Sequence, residues 1–426
     1  MSQPTQTSQP TQAPQRRAGS AKLLLLSFAL GAFALGTSEN VVAGILSDVA
    51  RGIGVSEGSA GLLVTAYAGT VTVAGPVLTL FLDRIAPKKL LVGAMTLYLA
   101  GSLLAAVSTT FAVAVLARVL TGLVHTTILV IFMTTAMRLA APEKQASAAA
   151  NITLGLSVAT VLGVPIGVFL GQHVAWQAAF VLVAVLCAIS LVLIVATFPP
   201  DTGDRPAAGG SRLSNVRGLG RPQVAFGIAT TALTGMAALT VVTFVAPFLT
   251  QGSDIDSSMT VWIMLAYGVG CVLGNTVGAR LANRQLVQAM AITVSATLAT
   301  LVLMSLLPGN AVATVVLVVL LGFTYFATFP ALNTWVAKNS EDLSPNLALA
   351  LNSSAFNIGI AFAGWVGSLY LNSAHSITHL PVLALPAAAL GSVIAWLLFR
   401  AYGSSRSRPA QNTARQRTAA VTAAEE

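Results

Sequence analysis

Two charges stand where a lipid interior would leave them without water. Glu39 lies beside Asn40 in FALGTSENVVAGIL, Phe33 to Leu46, a run otherwise apolar or small, and it is the only carboxylate of the chain that falls at such depth. Intramembrane carboxylates are costly and rare, usually face a cavity or a partner, and mark ion or substrate paths. Arg118 is the second charge. If the first apolar run ends near Leu46 and the fourth begins near Phe111, each residue lies seven positions from the same membrane surface, about 10 Å deep at 1.5 Å per residue. They should therefore share a depth. An Arg at mid-helix costs about 2.5 to 3.5 kcal/mol on insertion scales, which an opposed carboxylate would partly offset. Three readings fit: Glu39 carries an exchanged proton that the approach of Arg118 releases, the two form a static pair that fixes helix register, or Glu39 reaches toward the outer interface.

Other polar residues share these runs. His125 follows Arg118 by seven residues, two turns along the same helix face. An imidazole titrates near neutral pH, but a packed, hydrogen-bonded histidine is the plainer reading. Asn40, Tyr67, Tyr267, Tyr325, Asn333 and Asn357 are the types that supply polar contacts in a mostly apolar small-molecule cavity, and equally the types that hydrogen-bond helix to helix. Two or three of them are expected to touch substrate. Gly155, Ala159, Gly163, Gly167 and Gly171 recur every four residues, a small-residue stripe for close backbone approach, and Pro165 within it should bend its helix. Cys187 and Cys271 sit inside apolar runs and make neither a disulfide framework nor a metal site. No Gly-Lys pair occurs, so there is no P-loop; the lack of an H-E-x-x-H and of clustered acids argues against a membrane-embedded enzyme.

These residues have to be held by membrane helices. Hydrophobic residues are 55% of 426 and charged residues 8%, with mean hydropathy +0.82, outside any soluble class. About 20 mostly apolar residues cross a hydrocarbon core roughly 30 Å thick, and about twelve such runs lie between Leu23 and Phe399. A β-barrel would show strands of about 10 residues with alternating polarity instead. The fold class is thus all-α and polytopic, twelve transmembrane helices in two pseudo-symmetric six-helix bundles. With the N-terminus inside, 20 of 22 Lys and Arg fall on one side, leaving Arg51 outside and Arg118 within. Basic residues gather on the cytoplasmic side, so both termini are expected there, and the net charge of +9 reports topology and anionic lipid rather than nucleic acid.

Residues 1–20 and 401–426 read as disordered tails. The stretch 199–222, rich in Gly, Pro and Arg, reads as a cytoplasmic loop between bundles at 21–198 and 223–400. A shift of 200 sets Tyr67 on Tyr267, Gly122 on Gly322 and Arg138 on Lys338, and one residue more sets Asn151 on Asn352. Parallel six-helix repeats with a midplane site between them are a transporter architecture. Arg118 falls on Val318, and the second half has no acidic residue within a run, so proton coupling is expected in the first half.

The motifs then carry a resemblance. TLFLDRIAPKKLL, Thr79 to Leu91, resembles the loop between helices two and three of the major facilitator superfamily. It keeps Asp83, Arg84, Lys88 and Lys89 and departs at Thr79, Phe81, Ala86 and Pro87. LARVLTG, Leu116 to Gly122, resembles the helix-four arginine motif. GLSVATVLGVPIGVFLG, with Gly155, Gly163, Pro165 and Gly167, resembles the helix-five antiporter motif. LGTSENVVAGILSDVA, Leu35 to Ala50, is similar to the first helix of arabinose-efflux-like and chloramphenicol-efflux-like permeases in the 12-helix drug:proton antiporter branch, with Asn40 where Phe is usual. The resemblance implies that helices one, four, seven and ten line the cavity, so that Glu39 and Arg118 face one another. It implies that the Asp83 loop is a gating latch, one-sided because the repeat carries Asn283, and that the helix-five seam favours antiport. The expected function is proton-coupled export of a small, partly hydrophobic compound, an antibiotic or a sugar- or nucleoside-like metabolite, by alternating access in a bacterial cytoplasmic membrane. The expected protein is a monomer among membrane lipids that needs no cofactor beyond the proton gradient. Proton symport or facilitated uptake is the alternative.

Overall fold

The computed structural model describes residues 13–81, 85–141, 145–199, 221–340, 345–373 and 375–403. Among them twelve helices are long and apolar enough to cross a membrane, and none of these residues is in a strand. The first half runs α1 (Ala13–Gly44), α2 (Leu46–Ile53), α3 (Glu57–Phe81), α4 (Pro87–Ala106), α5 (Phe111–Leu139), α6 (Gln145–Val158), a π-helical turn Ala159–Gly163, α7 (Val164–His173) and α8 (Trp176–Thr197). The second half runs α9 (Pro222–Val242), α10 (Val245–Ser253), α11 (Thr260–Arg284), α12 (Leu286–Leu306), α13 (Ala311–Asn339), α14 (Pro345–Asn372) and α15 (Leu380–Tyr402). Helix α1 starts at Ala13, inside the stretch expected to be a disordered tail; residues 1–12 and 404–426 and most of the central loop lie outside the described residues.

Prolines mark helix starts where a missing N–H costs nothing: Pro87 opens α4 and Pro222 opens α9. Pro76, Pro330 and Pro386 sit inside helices, which membrane helices tolerate when neighbours re-satisfy the freed backbone groups.

The two halves repeat one another in detail. The first span breaks at Ile45 (φ −113°, ψ 17°) and the seventh at Phe244 (φ −108°, ψ 26°). Each break is followed by a short helix, ended by a left-handed residue, Gly54 at φ 75° and Asp254 at φ 52°. Aspartate is among the few non-glycine residues that enter that region readily. Both spans read as unbroken from sequence, although Pro247, three residues past Phe244, leaves the Thr243 carbonyl without its i→i−4 donor. The tight contacts repeat as well: a Cβ on Gly122 would meet the Tyr67 carbonyl, and one on Gly322 the ring and carbonyl of Tyr267. In α11, Gly270, Gly274 and Gly278 lie against the backbone carbonyls of Val319, Phe323 and Ala327 in α13. That stripe has the same four-residue spacing as the one in the fifth span and was overlooked in the sequence.

Side chains bridge the halves at or near the face opposite the chain termini. Ser56 Oγ donates to Asn372 Oδ1 (2.7 Å), Gln251 Nε2 to Glu57 Oε1 (2.7 Å), Gln172 Nε2 to the Ser257 carbonyl (3.0 Å) and, deeper, Thr65 Oγ1 to the Ala361 carbonyl (3.0 Å). Gln172 and Asn372 occupy equivalent places in the repeat, each reaching the start of a helix in the opposite half. One latch is thus built twice.

Candidate functional site

Arg118 meets the first span one residue before Glu39. Arg118, 2% exposed, extends from α5 to the first span, where Nη1 donates to the Ser38 carbonyl (2.8 Å) and to Ser38 Oγ (3.3 Å), while Nε donates to the Leu63 carbonyl (3.4 Å). Its guanidinium carbon lies 4.0 Å from the centroid of the Tyr67 ring. Carbonyl oxygens and a π-face thus balance the buried charge, and Nη2 is left without a hydrogen-bond partner.

The direct Glu39–Arg118 pair is not what forms. Glu39 is the next residue after Ser38 and points about 100° further round the helix, where its nearest ionisable partner is His125, Nε2 to Oε2 4.0 Å. The other ring nitrogen, Nδ1, is 2.6 Å from Tyr67 Oη. Glu39, His125, Tyr67 and Arg118 therefore form one continuous cluster, supplied by α1, α3 and α5, with the Tyr98 hydroxyl of α4 buried beside it. The Glu39 side chain keeps 15% of its surface open and that of His125 only 4%. Glu39 is the accessible member. His125, read from sequence as a packed residue, is packed and hydrogen-bonded, and it also touches the acid. Ser38 and Tyr98 were missed; Ser38 had a signal in its adjacency to Glu39, whereas nothing local marks Tyr98.

The remaining cavity candidates divide. Asn40 spends an N–H on its own helix at the Gly36 carbonyl (2.9 Å), and Asn357 does the same at Ser353 (3.0 Å). Asn333 accepts from Asn352, which in turn accepts from Thr231 (3.0 Å), a polar thread through α13, α14 and α9. Tyr267 is held in packing by Gly322. Tyr325 is buried with its hydroxyl unpartnered; it is stacked on Phe356 at 6.0 Å and 9° and is edge-on to Phe326 and Phe329. From the second half, it lies within electrostatic range of Glu39.

Asp83 and Arg84 of the expected latch lie outside the described residues. Lys88 does not cross to the other half: Nζ donates to the Phe198 carbonyl (2.9 Å), tying α4 to the end of α8 within the first half, and Lys89 is exposed. The fifth-span stripe is a seam against α1, with Gly155 on Ala29, Gly163 on Thr37, Gly167 on Val41 and Gly171 on Ile45. Instead of a simple proline bend, the chain makes the π-turn Ala159–Gly163 just ahead of Pro165, a common way to absorb a missing backbone donor. That turn receives Gly268 of the other half against Thr160 and Val161.

Comparison with known proteins agrees with this architecture. The Major Facilitator Superfamily profile matches residues 28–344. The chain is 30% identical over 387 residues to the inner membrane transport protein YdhP of Escherichia coli (strain K12), covering 90% of this chain and 96% of that protein. It is 31% identical over 343 residues to a chloramphenicol resistance protein of Streptomyces lividans, covering 80% and 86%. Its fold is similar to that of the nucleoside transporter NupG, with a TM-score of 0.70 at 15% identity over 89% of this chain and 98% of that one. A multi-pass architecture in two related halves, a profile match over most of the length and full-length kinship to transport proteins lead to one conclusion: the chain belongs to the Major Facilitator Superfamily.

Proposed function

We propose that this transporter is a proton-coupled antiporter that exports a small, partly hydrophobic compound by alternating access, with Glu39 as the proton carrier. The observation that carries the proposal is the placement of Glu39. It is the one carboxylate away from the ends of the twelve spans, and it stays partly open while the basic groups around it, His125 and Arg118, are closed off. An acid in that position can trade a proton with water that reaches it and can be exposed to either side when the halves rock. Export is supported by kinship to a chloramphenicol resistance protein and by the glycine seam of the fifth span. The distribution of Lys and Arg supports a cytoplasmic side for the terminal face, in a bacterial membrane. On that reading the bridged face is the outer one.

The test expresses the protein in a drug-sensitive, pump-deleted bacterium and challenges it with a compound panel with and without a proton uncoupler. Uncoupler-sensitive resistance is expected, and accumulation of a compound would reverse the direction. In vesicles carrying a pH gradient, Glu39→Gln is expected to lose concentrative transport and keep downhill exchange. A Glu39→Gln protein that still concentrates substrate refutes the carrier role.

A further inference from the structure

Glu39 and Arg118 account for the sequence motifs, but neither explains why a histidine is enclosed between Glu39 and Tyr67. The two nitrogens of His125 have different neighbours, Tyr67 Oη at 2.6 Å from Nδ1 and Glu39 Oε2 at 4.0 Å from Nε2. A phenol keeps its proton at neutral pH. Tyr67 Oη can donate it to Nδ1, and in the neutral ring the remaining proton then sits on Nε2, on the side of Glu39. The guanidinium of Arg118 over the Tyr67 ring polarises the phenol toward stronger donation. Arg118 thus acts on Glu39 along a line, ring to hydroxyl to imidazole to carboxylate, without touching it. His125 itself is almost wholly buried, 3% exposed.

We infer that His125 is the positioning residue of the proton site: Tyr67 fixes its tautomer, so that Nε2–H faces the Glu39 carboxylate and orients it. This inference rests on Glu39 being the carrier. A histidine that only filled space would need neither a fixed tautomer nor a donor on the acid side. Polarity separates the two cases, because a glutamine amide can accept from Tyr67 and turn an N–H toward Glu39, whereas a leucine of similar bulk can do neither.

The test has two arms. In 15N spectra of histidine-labelled protein in nanodiscs, the signal that disappears in His125→Gln is expected to show a bare Nδ1 and a protonated Nε2, and Tyr67→Phe is expected to move it toward the other tautomer. In vesicles with chloramphenicol as the probe, His125→Gln is expected to keep gradient-driven transport. His125→Leu is expected to lose gradient-driven transport while still exchanging chloramphenicol without a gradient. A wild-type His125 with its proton on Nδ1, or a His125→Leu protein that pumps as well as wild type, overturns the inference. Should His125→Leu fail to fold, the tautomer in wild type and Tyr67→Phe decides alone. Concentrative transport by Glu39→Gln would remove the carrier role yet leave the tautomer result standing, so the two failures are distinguishable.

Discussion

Arg118 shows how a guanidinium survives in the membrane without a carboxylate against it. Its planar fork reaches two carbonyls and a hydroxyl while its face covers an aromatic ring, and a lysine ammonium offers neither the fork nor the face. Arg118→Lys is therefore expected to lower the stability of the detergent-solubilised protein by about 1 to 3 kcal/mol, from buried acceptors left unmade, read as a lower midpoint in thermal unfolding. Glu39 and Arg118 were legible in the sequence because a charge in an apolar run stands out on its own. The partners of Glu39 were not. Ser38 and Glu39 are successive residues on one helix, so a rotation of about 100° decides which of them meets Arg118, and that rotation is set by what packs on the far side of the helix.

At the level of helices, close approach is bought with glycine, and the kind of atom across the gap decides what a methyl group would cost. A Cβ on Gly163 would overlap the Thr37 hydroxyl, and one on Gly274 the Phe323 backbone carbonyl, whereas Gly69 has nothing within 4 Å. Gly163→Ala and Gly274→Ala are both expected to cost about 1 to 3 kcal/mol as overpacking, with Gly69→Ala close to neutral as the control. Thr37→Ala should recover part of the Gly163→Ala loss by removing the clashing oxygen. No side-chain trimming can do so for Gly274, because the obstacle is main chain. Thermal unfolding of the single and double variants measures both. The four-residue glycine spacing announces such seams, but it does not say which neighbour each seam receives. The fifth-span stripe meets α1 of its own half, whereas Gly268, against the π-turn, and Gly364, against Thr65 and the Gly61 carbonyl, cross to the other half.

For the molecule as a whole, the side-chain bridges described above gather at the face away from the termini, joining helix ends that are remote in sequence. Alternating access requires those bridges to part. Ser56 and Asn372 meet there, and the native Cys187 and Cys271 are both buried. Replacing Ser56 and Asn372 with cysteine and joining them with a short bifunctional thiol reagent is expected to abolish net transport, while either single variant treated alike stays active. Turnover of the cross-linked protein at the wild-type rate would show that this face does not open.

Span number, the six-plus-six repeat and the two charges within spans, Glu39 and Arg118, were all determined by the chain itself, because hydropathy and the cost of a charge in lipid are properties of short stretches and need no partner to act. The breaks at Ile45 and Phe244, the π-turn before Pro165 and the choice of His125 over Arg118 beside Glu39 were decided only in three dimensions. Each depends on how one helix is turned and seated against others that lie tens or hundreds of residues away, and a pattern read along a single strand of sequence carries no information about that contact.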